Sequence, residues 1–220
     1  MEGQLASAGA TAAESPADEL PFDCRCGQVA GRLRGVSPVA AHRAVCYCES
    51  CQAFPRLIDS ADDVLDANGG TELLHISSAH LEITRGAEQL ACLRITSRGP
   101  LRWYARCCST PIANCAAQAS LPFLGLIVPA GRAGDRREAC ARLLGPVRFR
   151  VQAQDAVGDV SHLGARKGFG LPILWRLARL TLGAWLRGEH ARSPFFDPAS
   201  RQPIAEPRMI SAEERERVRR

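Results

Sequence analysis

Between Pro21 and about Pro129 the hydrophobic positions recur mostly with a period of two. Val29-Ala30-Gly31-Arg32-Leu33-Arg34 alternates small or apolar with polar side chains, as do Leu81-Glu82-Ile83-Thr84 and Ala91-Cys92-Leu93-Arg94-Ile95-Thr96. Leu101 to Tyr104 is a further, aromatic-containing candidate strand, and Gly35, Asn68-Gly69-Gly70, Gly86 and Gly99-Pro100 punctuate these runs as turns. Short strands between turns predict a mainly antiparallel β domain. Asp59 to Leu65 reads as one short helical turn. Apolar runs at Leu121–Val128 and Val147–Val151 flank a polar, helix-like stretch at Asp135–Leu144, and residues 152–166 read as a loop.

Leu171 to Arg187 carries the best helical pattern in the chain. Arg176, Arg179 and Arg187 fall on one narrow stripe, and Leu174, Leu177, Trp185 and Leu186 cover the wider opposite face. Covering the core is the default role of such a helix. Pairing with a second chain and lying on a membrane surface, with Trp175 and Trp185 on the apolar side, are the others. After it, Pro194, Pro198, Pro203 and Pro207 lead to a charged end at Glu213–Arg220, which predicts an extended tail with a frayed final helix. The expected organisation is a flexible leader over residues 1–20, a β domain over 21–151, and a loop, an amphipathic helix (about 168–188) and a tail over 152–220.

The composition narrows the function. With 220 residues, 46% of them hydrophobic, the chain can build a core, and no run of 18 apolar residues predicts a membrane-spanning helix. Residues 1–20 hold four acids and no Lys or Arg, so residues 21–220 carry +9 of the net +5. With neither a basic start nor an apolar run, this leader does not read as a secretory signal. Lys167 is the only lysine among 28 basic residues. The arginines are scattered among acids, and only five Trp and Tyr residues are available for stacking, so no nucleic-acid partner is expected.

The ten cysteines, at positions 24, 26, 46, 48, 51, 92, 107, 108, 115 and 140, change the picture most. Without an export signal a cytoplasmic, reducing location is expected, where disulfides are rare and grouped cysteines point to metal or catalysis. Three groups stand out: Cys24-Arg25-Cys26-Gly27, Cys46-Tyr47-Cys48-Glu49-Ser50-Cys51 and Cys107-Cys108. In an extended segment residues i and i+2 share a side, so Cys24/Cys26 and Cys46/Cys48 form two pincers. Cys51 can turn back onto Cys48 if the strand ends there. Three thiolates leave one corner of a tetrahedral Zn2+ open, as in reactive rather than structural zinc sites.

This ordered set resembles the glutathione-dependent formaldehyde-activating enzyme family, which includes centromere protein V-like members and has the Mss4-like fold. The resemblance covers about residues 22–130, and Arg102-Trp103-Tyr104 with Cys107-Cys108-Ser109-Thr110-Pro111 is similar to an uncharacterised bacterial branch. It implies zinc-stapled antiparallel sheets, with a structural zinc held by Cys24, Cys26 and Cys108. The family's remaining cysteine would fall at Ala105, leaving Cys107 or Cys115 as its replacement, and adjacent cysteines can share one ion only across a bend. The resemblance also implies a reactive zinc on Cys46, Cys48 and Cys51, and a carbon–sulfur lyase reaction on a small glutathione-like thiol–aldehyde adduct. Tyr47 stands where the family often has His.

Two other functions remain open: a non-catalytic, zinc-stabilised protein-binding module and a thiol redox sensor. Both zinc sites could be structural staples, and His42, four residues before Cys46, is the nearest group to close the triple. Arg102 could grip a carboxylate, although an aromatic strand packed on the core is the plainer reading of 102–104. Glu49 is either an acid/base group or a solvated turn residue. Cys92 and Cys140 read as core. A homodimer through the 171–187 helix is the expected assembly, if any.

Overall fold

The computed structural model describes residues 19–129 and 134–219; residues 1–18 of the expected leader lie outside the described residues. The strands are β1 (Leu20–Asp23), β2 (Ala30–Leu33), β3 (His42–Cys46), β4 (Thr71–Ile76), β5 (Leu81–Arg85), β6 (Leu90–Arg94), β7 (Leu101–Ala105), β8 (Thr110–Cys115), β9 (Leu124–Ile127), β10 (Phe149–Val151) and β11 (Arg208–Met209). The helices are α1 (Glu49–Leu57), α2 (Ala61–Val64), α3 (Gly134–Leu144), α4 (Leu171–Leu186) and α5 (Ala212–Arg219). The protein is thus mainly β. A three-stranded sheet runs β1-β2-β5, and an eight-stranded sheet runs β10-β3-β4-β9-β8-β7-β6-β11. All internal pairings are antiparallel; only the two edge strands, β10 on β3 and β11 on β6, add in parallel.

The large sheet is covered on both faces, and successive residues of its strands divide between two cores. Leu74, Ile76, Leu124, Leu126 and Trp103 enter a core shared with Leu20, Phe22 and Leu33 of the small sheet. Leu73, Ile127 and Leu93 enter the opposite core with Phe54 and Leu57 of α1 and Val218 of α5. Every residue of β3, β4 and β9 is buried. Strands buried on both faces lose the apolar/polar alternation, which is why β3 and β4 escape a periodicity reading. In β2, Gly31 has no substitute: a Cβ there would lie 2.3 Å from both the Glu82 carbonyl oxygen and the Phe22 ring.

Glu19 and Leu20, expected to belong to the leader, are part of this fold. Glu19 pairs with Arg32 and Arg34, and Leu20 is buried. The C-terminal segment differs more. Phe195 is fully buried and stacks on Trp103 at 4.6 Å between ring centres, β11 extends the large sheet, and Ile210 and Val218 enter the second core. These anchors are single apolar residues scattered among prolines, so they leave no periodic trace in the sequence.

Candidate metal centres

The segment Cys24 to Val29 turns back on itself at the end of β1. Gly27 adopts φ +75 there, its N–H donates to the Cys24 carbonyl (2.9 Å), and the Val29 N–H donates to the Cys24 sulfur (3.2 Å). A second turn joins β7 to β8, with Ser109 at φ +55, and it presents Cys107 and Cys108. Arg25 ties the two turns together. Its N–H donates to Thr110 Oγ1 (3.0 Å), its guanidinium donates to the Cys108 carbonyl (2.9 Å), and it pairs with Asp63 (3.1 Å).

The result is a group of four thiols, Cys24, Cys26, Cys107 and Cys108, whose sulfurs all lie within 4.8 Å of one another. The separations are 3.6 Å for Cys24–Cys26, 3.8 Å for Cys24–Cys107, 3.4 Å for Cys26–Cys107 and 3.9 Å for Cys107–Cys108. A tetrahedron with zinc–sulfur bonds of about 2.3 Å has sulfur–sulfur edges of about 3.8 Å. The group therefore has the size and donor chemistry of a four-thiolate metal site. The turn over residues 106–109, in which the Cys108 N–H donates to the Ala105 carbonyl (3.4 Å), takes the two neighbouring cysteines out of extended backbone and lets them share one centre. Cys107 contributes its sulfur to the group, whereas Ala105, at the end of β7, is fully buried. Cys115 is elsewhere, buried and accepting the Trp103 indole N–H at 3.3 Å.

The second group is built by one strand end and one helix start. β3 ends at Cys46, Cys48 is the residue before α1, and its carbonyl accepts the N–H groups of Cys51 (2.9 Å) and Gln52 (3.1 Å). That first turn brings Cys51 back under Cys48, and the sulfurs of Cys46, Cys48 and Cys51 lie within 4.8 Å of one another. Pro55, inside α1, lacks the N–H that would bond the Cys51 carbonyl. The Thr71 hydroxyl donates to that carbonyl instead, at 3.0 Å, and so pins the helix start to β4. Gln52 donates to the Tyr47 carbonyl (2.6 Å) and the Asp155 carbonyl (2.7 Å), fixing the chain on both sides of Cys48. Cys46 and Cys51 are buried and Cys48 is half-buried.

Arg102 completes this centre. It is buried on β7, donates to Ser50 Oγ (2.6 Å), and approaches the Cys51 sulfur at 3.8 Å. It does not reach into open space to grip a carboxylate; it lends positive charge to the thiols. Contacts with the Cys46 and Cys48 thiols, aided by Arg102, hold the Cys51 thiol well below the ordinary range despite its burial. Cys46 is driven up by its contacts with Cys48 and Cys51. Cys48 is pulled down by Cys46 but pushed further up by Cys51 and burial, to about 11. In the other group burial raises the Cys108 thiol, but hydrogen bonds from Thr110 and Cys26 outweigh it and bring it to about 6, while burial and its three neighbours push Cys107 up. Crowded thiols ionise together only around a cation, so both donor sets suit a divalent metal.

His42 does not close the triple. It sits at the far end of β3, opposite His75 of β4, and the two rings share a hydrogen bond (Nε2 to Nδ1, 3.1 Å). Both are buried, which lowers His42 to about 3 and His75 to about 4. Glu49 occupies the first turn of α1 and lines a cleft of about 670 Å3 with Ser50, Gln52 and Arg56. Cys92 and Cys140 are buried, as expected. Thr71, Gln52 and His75 carry no sequence signal: the β3–β4 register sets His75 against His42, and the docking of α1 against β4 and the 152–155 segment gives Thr71 and Gln52 their partners.

A family described as "Family of unknown function (DUF6151)" matches residues 17–207. No curated protein matches. Among solved structures, a crystal structure of a Rhodobacter sphaeroides protein is similar with 20% identity and a TM-score of 0.35, over 58% of this chain and 96% of that one.

Proposed function

Because this chain belongs to a family of unknown function, DUF6151, we propose its role from the two thiol centres: it is a zinc protein with one structural and one open site. Cys24, Cys26, Cys107 and Cys108 would hold a structural zinc that staples the first sheet's leading turn to the β7–β8 turn. Cys46, Cys48 and Cys51 would hold a second zinc through three thiolates. The observation that carries this reading is the match between the sulfur spacings of the first group and the edge of a zinc–thiolate tetrahedron. All-sulfur donor sets favour zinc over harder divalent ions.

The fold is proposed to be Mss4-like, and the chain to be a divergent relative of the glutathione-dependent formaldehyde-activating enzymes. No His, Asp or Glu joins the triple among the described residues. A zinc with an open corner would supply Lewis-acid chemistry and lower the pKa of a bound thiol. Arg102 offsets the excess negative charge of three thiolates, and half-buried Cys48 marks the approach from solvent. The reaction proposed is reversible cleavage of the carbon–sulfur bond of a small thiol–aldehyde adduct. The sulfur leaves as thiol, the hydroxyl-bearing carbon becomes the aldehyde, and one proton moves from oxygen to sulfur.

A non-catalytic, zinc-shaped platform is the competing reading. It is favoured by the clefts of about 870, 670 and 740 Å3, whose walls include none of Cys46, Cys48 and Cys51. Metal analysis of the purified chain tests the zinc assignment: two zinc ions per chain are expected, and one or none refutes it. Turnover of the glutathione–formaldehyde adduct, lost in Cys48→Ala with the first zinc retained, separates the enzyme from the platform.

A further inference from the structure

α4 is oriented against expectation. Only Ile173 and Ala184 of its sixteen residues are buried, while Leu171, Leu174, Trp175, Leu182, Trp185 and Leu186 are each between 47% and 82% exposed. At 100° per residue these six side chains fall within an arc of about 120°, along a helix about 24 Å long. The His190 ring stacks on one side of Trp185 (5.9 Å between ring centres), yet about half or more of each of the six remains exposed, and Phe169, two residues before the helix, is a further exposed aromatic. A contiguous apolar face of this size marks an interaction surface.

The basic stripe lies along one side of the arc. Arg176 and Arg179 line a cleft of about 870 Å3 between α4 and the His42 end of β3. Neither of them, nor nearby Arg148, forms an ion pair among the described residues. Arg176 spends one nitrogen on the Pro38 carbonyl (2.7 Å), and its buried Nε has no partner. Arg187, at the C-terminal end of the stripe, is paired with Glu189 (2.6 Å), whereas α4 itself, residues 171–186, holds Arg176 and Arg179 and no acid.

We propose that α4 docks the protein on an anionic lipid surface, lying in the interface with its Leu/Trp arc among the acyl chains and its arginines on the headgroup phosphates. Charge decides between the candidate occupants. A two-fold pairing of α4 with a second copy would set these arginines near their own kind with no carboxylate on the helix to answer them. A bilayer rich in anionic headgroups supplies countercharge to Arg176 and Arg179, the two members of the stripe without an ion pair among the described residues. The helix lies on the membrane rather than across it, since no described helix is long and apolar enough to span. This inference is independent of the thiol centres.

The test is flotation of the intact, metal-loaded chain with two vesicle types: phosphatidylcholine alone, and phosphatidylcholine with roughly a third phosphatidylglycerol. Binding at least tenfold tighter to the anionic vesicles is expected. A blue shift of tryptophan emission should accompany it from Trp175 and Trp185, because Trp103 is already fully buried. Arg179→Gln should weaken binding about fivefold, and the exposed-site change Leu182→Glu more than tenfold, with far-ultraviolet dichroism unchanged. No binding to anionic vesicles overturns the proposal, as does equal binding to both types. A stable dimer dispersed by Leu182→Glu, without vesicle binding, would assign the face to a second copy. A melting shift with inorganic phosphate and no vesicle binding would assign the arginines to a free anion. Either result replaces the lipid assignment.

Discussion

At the scale of single residues, the charge of a thiol centre depends on its neighbours. Arg102 is buried against Cys51 and holds Ser50, so it both neutralises and orients one ligand-bearing turn. Loss of such a supporting group usually weakens a metal site about 10–100-fold. Arg102→Met should therefore release one metal ion per chain to a chelator titrated at moderate strength, while the four-cysteine site stays loaded; simultaneous release from both would refute this role. Cys107→Ser and Cys115→Ser form a matched pair. The first should remove one metal equivalent and the second none, as read by elemental analysis, because Cys115 bonds Trp103 in the core. The pairing of Cys24 with Cys26, and of Cys46 and Cys48 with Cys51, was legible in their spacing. Cys107 and Cys108 were also candidates from the sequence, but the choice of Cys107 over Cys115 was left open there, since it rests on the turn over residues 106–109 and on Cys115 lying in the core.

At the scale of elements, β3 and β4 are held by polar pairs in a region closed to water. Arg43 and Glu72 form a buried ion pair at 2.6 Å, and Glu72 also receives Arg137 of α3 at 3.0 Å. Removing one partner strands a buried charge, so Glu72→Ala should cost about 3–5 kcal/mol in denaturant unfolding. The His42–His75 pair on the same strands sets a pH dependence. Burial places both folded-state pKa values, about 3 and about 4, below the ordinary histidine value. The unfolded chain then binds more protons, and stability is full above about pH 6.5 and falls as pH drops toward 4. At pH 5 the loss is about 2 kcal/mol for each histidine. Melting curves of His75→Gln should show a shallower decline between pH 6.5 and 4.5. The elements themselves divide by environment. Half-exposed β5 was legible because one of its sides meets water, whereas β3 and β4 have no such side.

For the whole molecule, the C-terminal end of the described chain is stitched into the large sheet and its helical cover. β11 borders β6, α5 rests on α1, and Arg56 donates to the Val218 carbonyl at 3.1 Å. Phe195 fills the space over Trp103, so Phe195→Ala should destabilise the protein by about 3–5 kcal/mol. A melting temperature unchanged by that substitution would mean the C-terminal segment is an appendage after all. Cysteine spacing, strand punctuation at the glycines and the helical pattern of residues 171–186 are local properties, written in neighbouring residues, and the sequence determined them by itself. Whether two distant turns bring four sulfurs within 4.8 Å, which histidine faces which, and which side of α4 meets solvent depend on strand register and on the shape of the surface each element packs against. Those are long-range quantities, set when both faces of the large sheet are covered, and no local pattern encodes them.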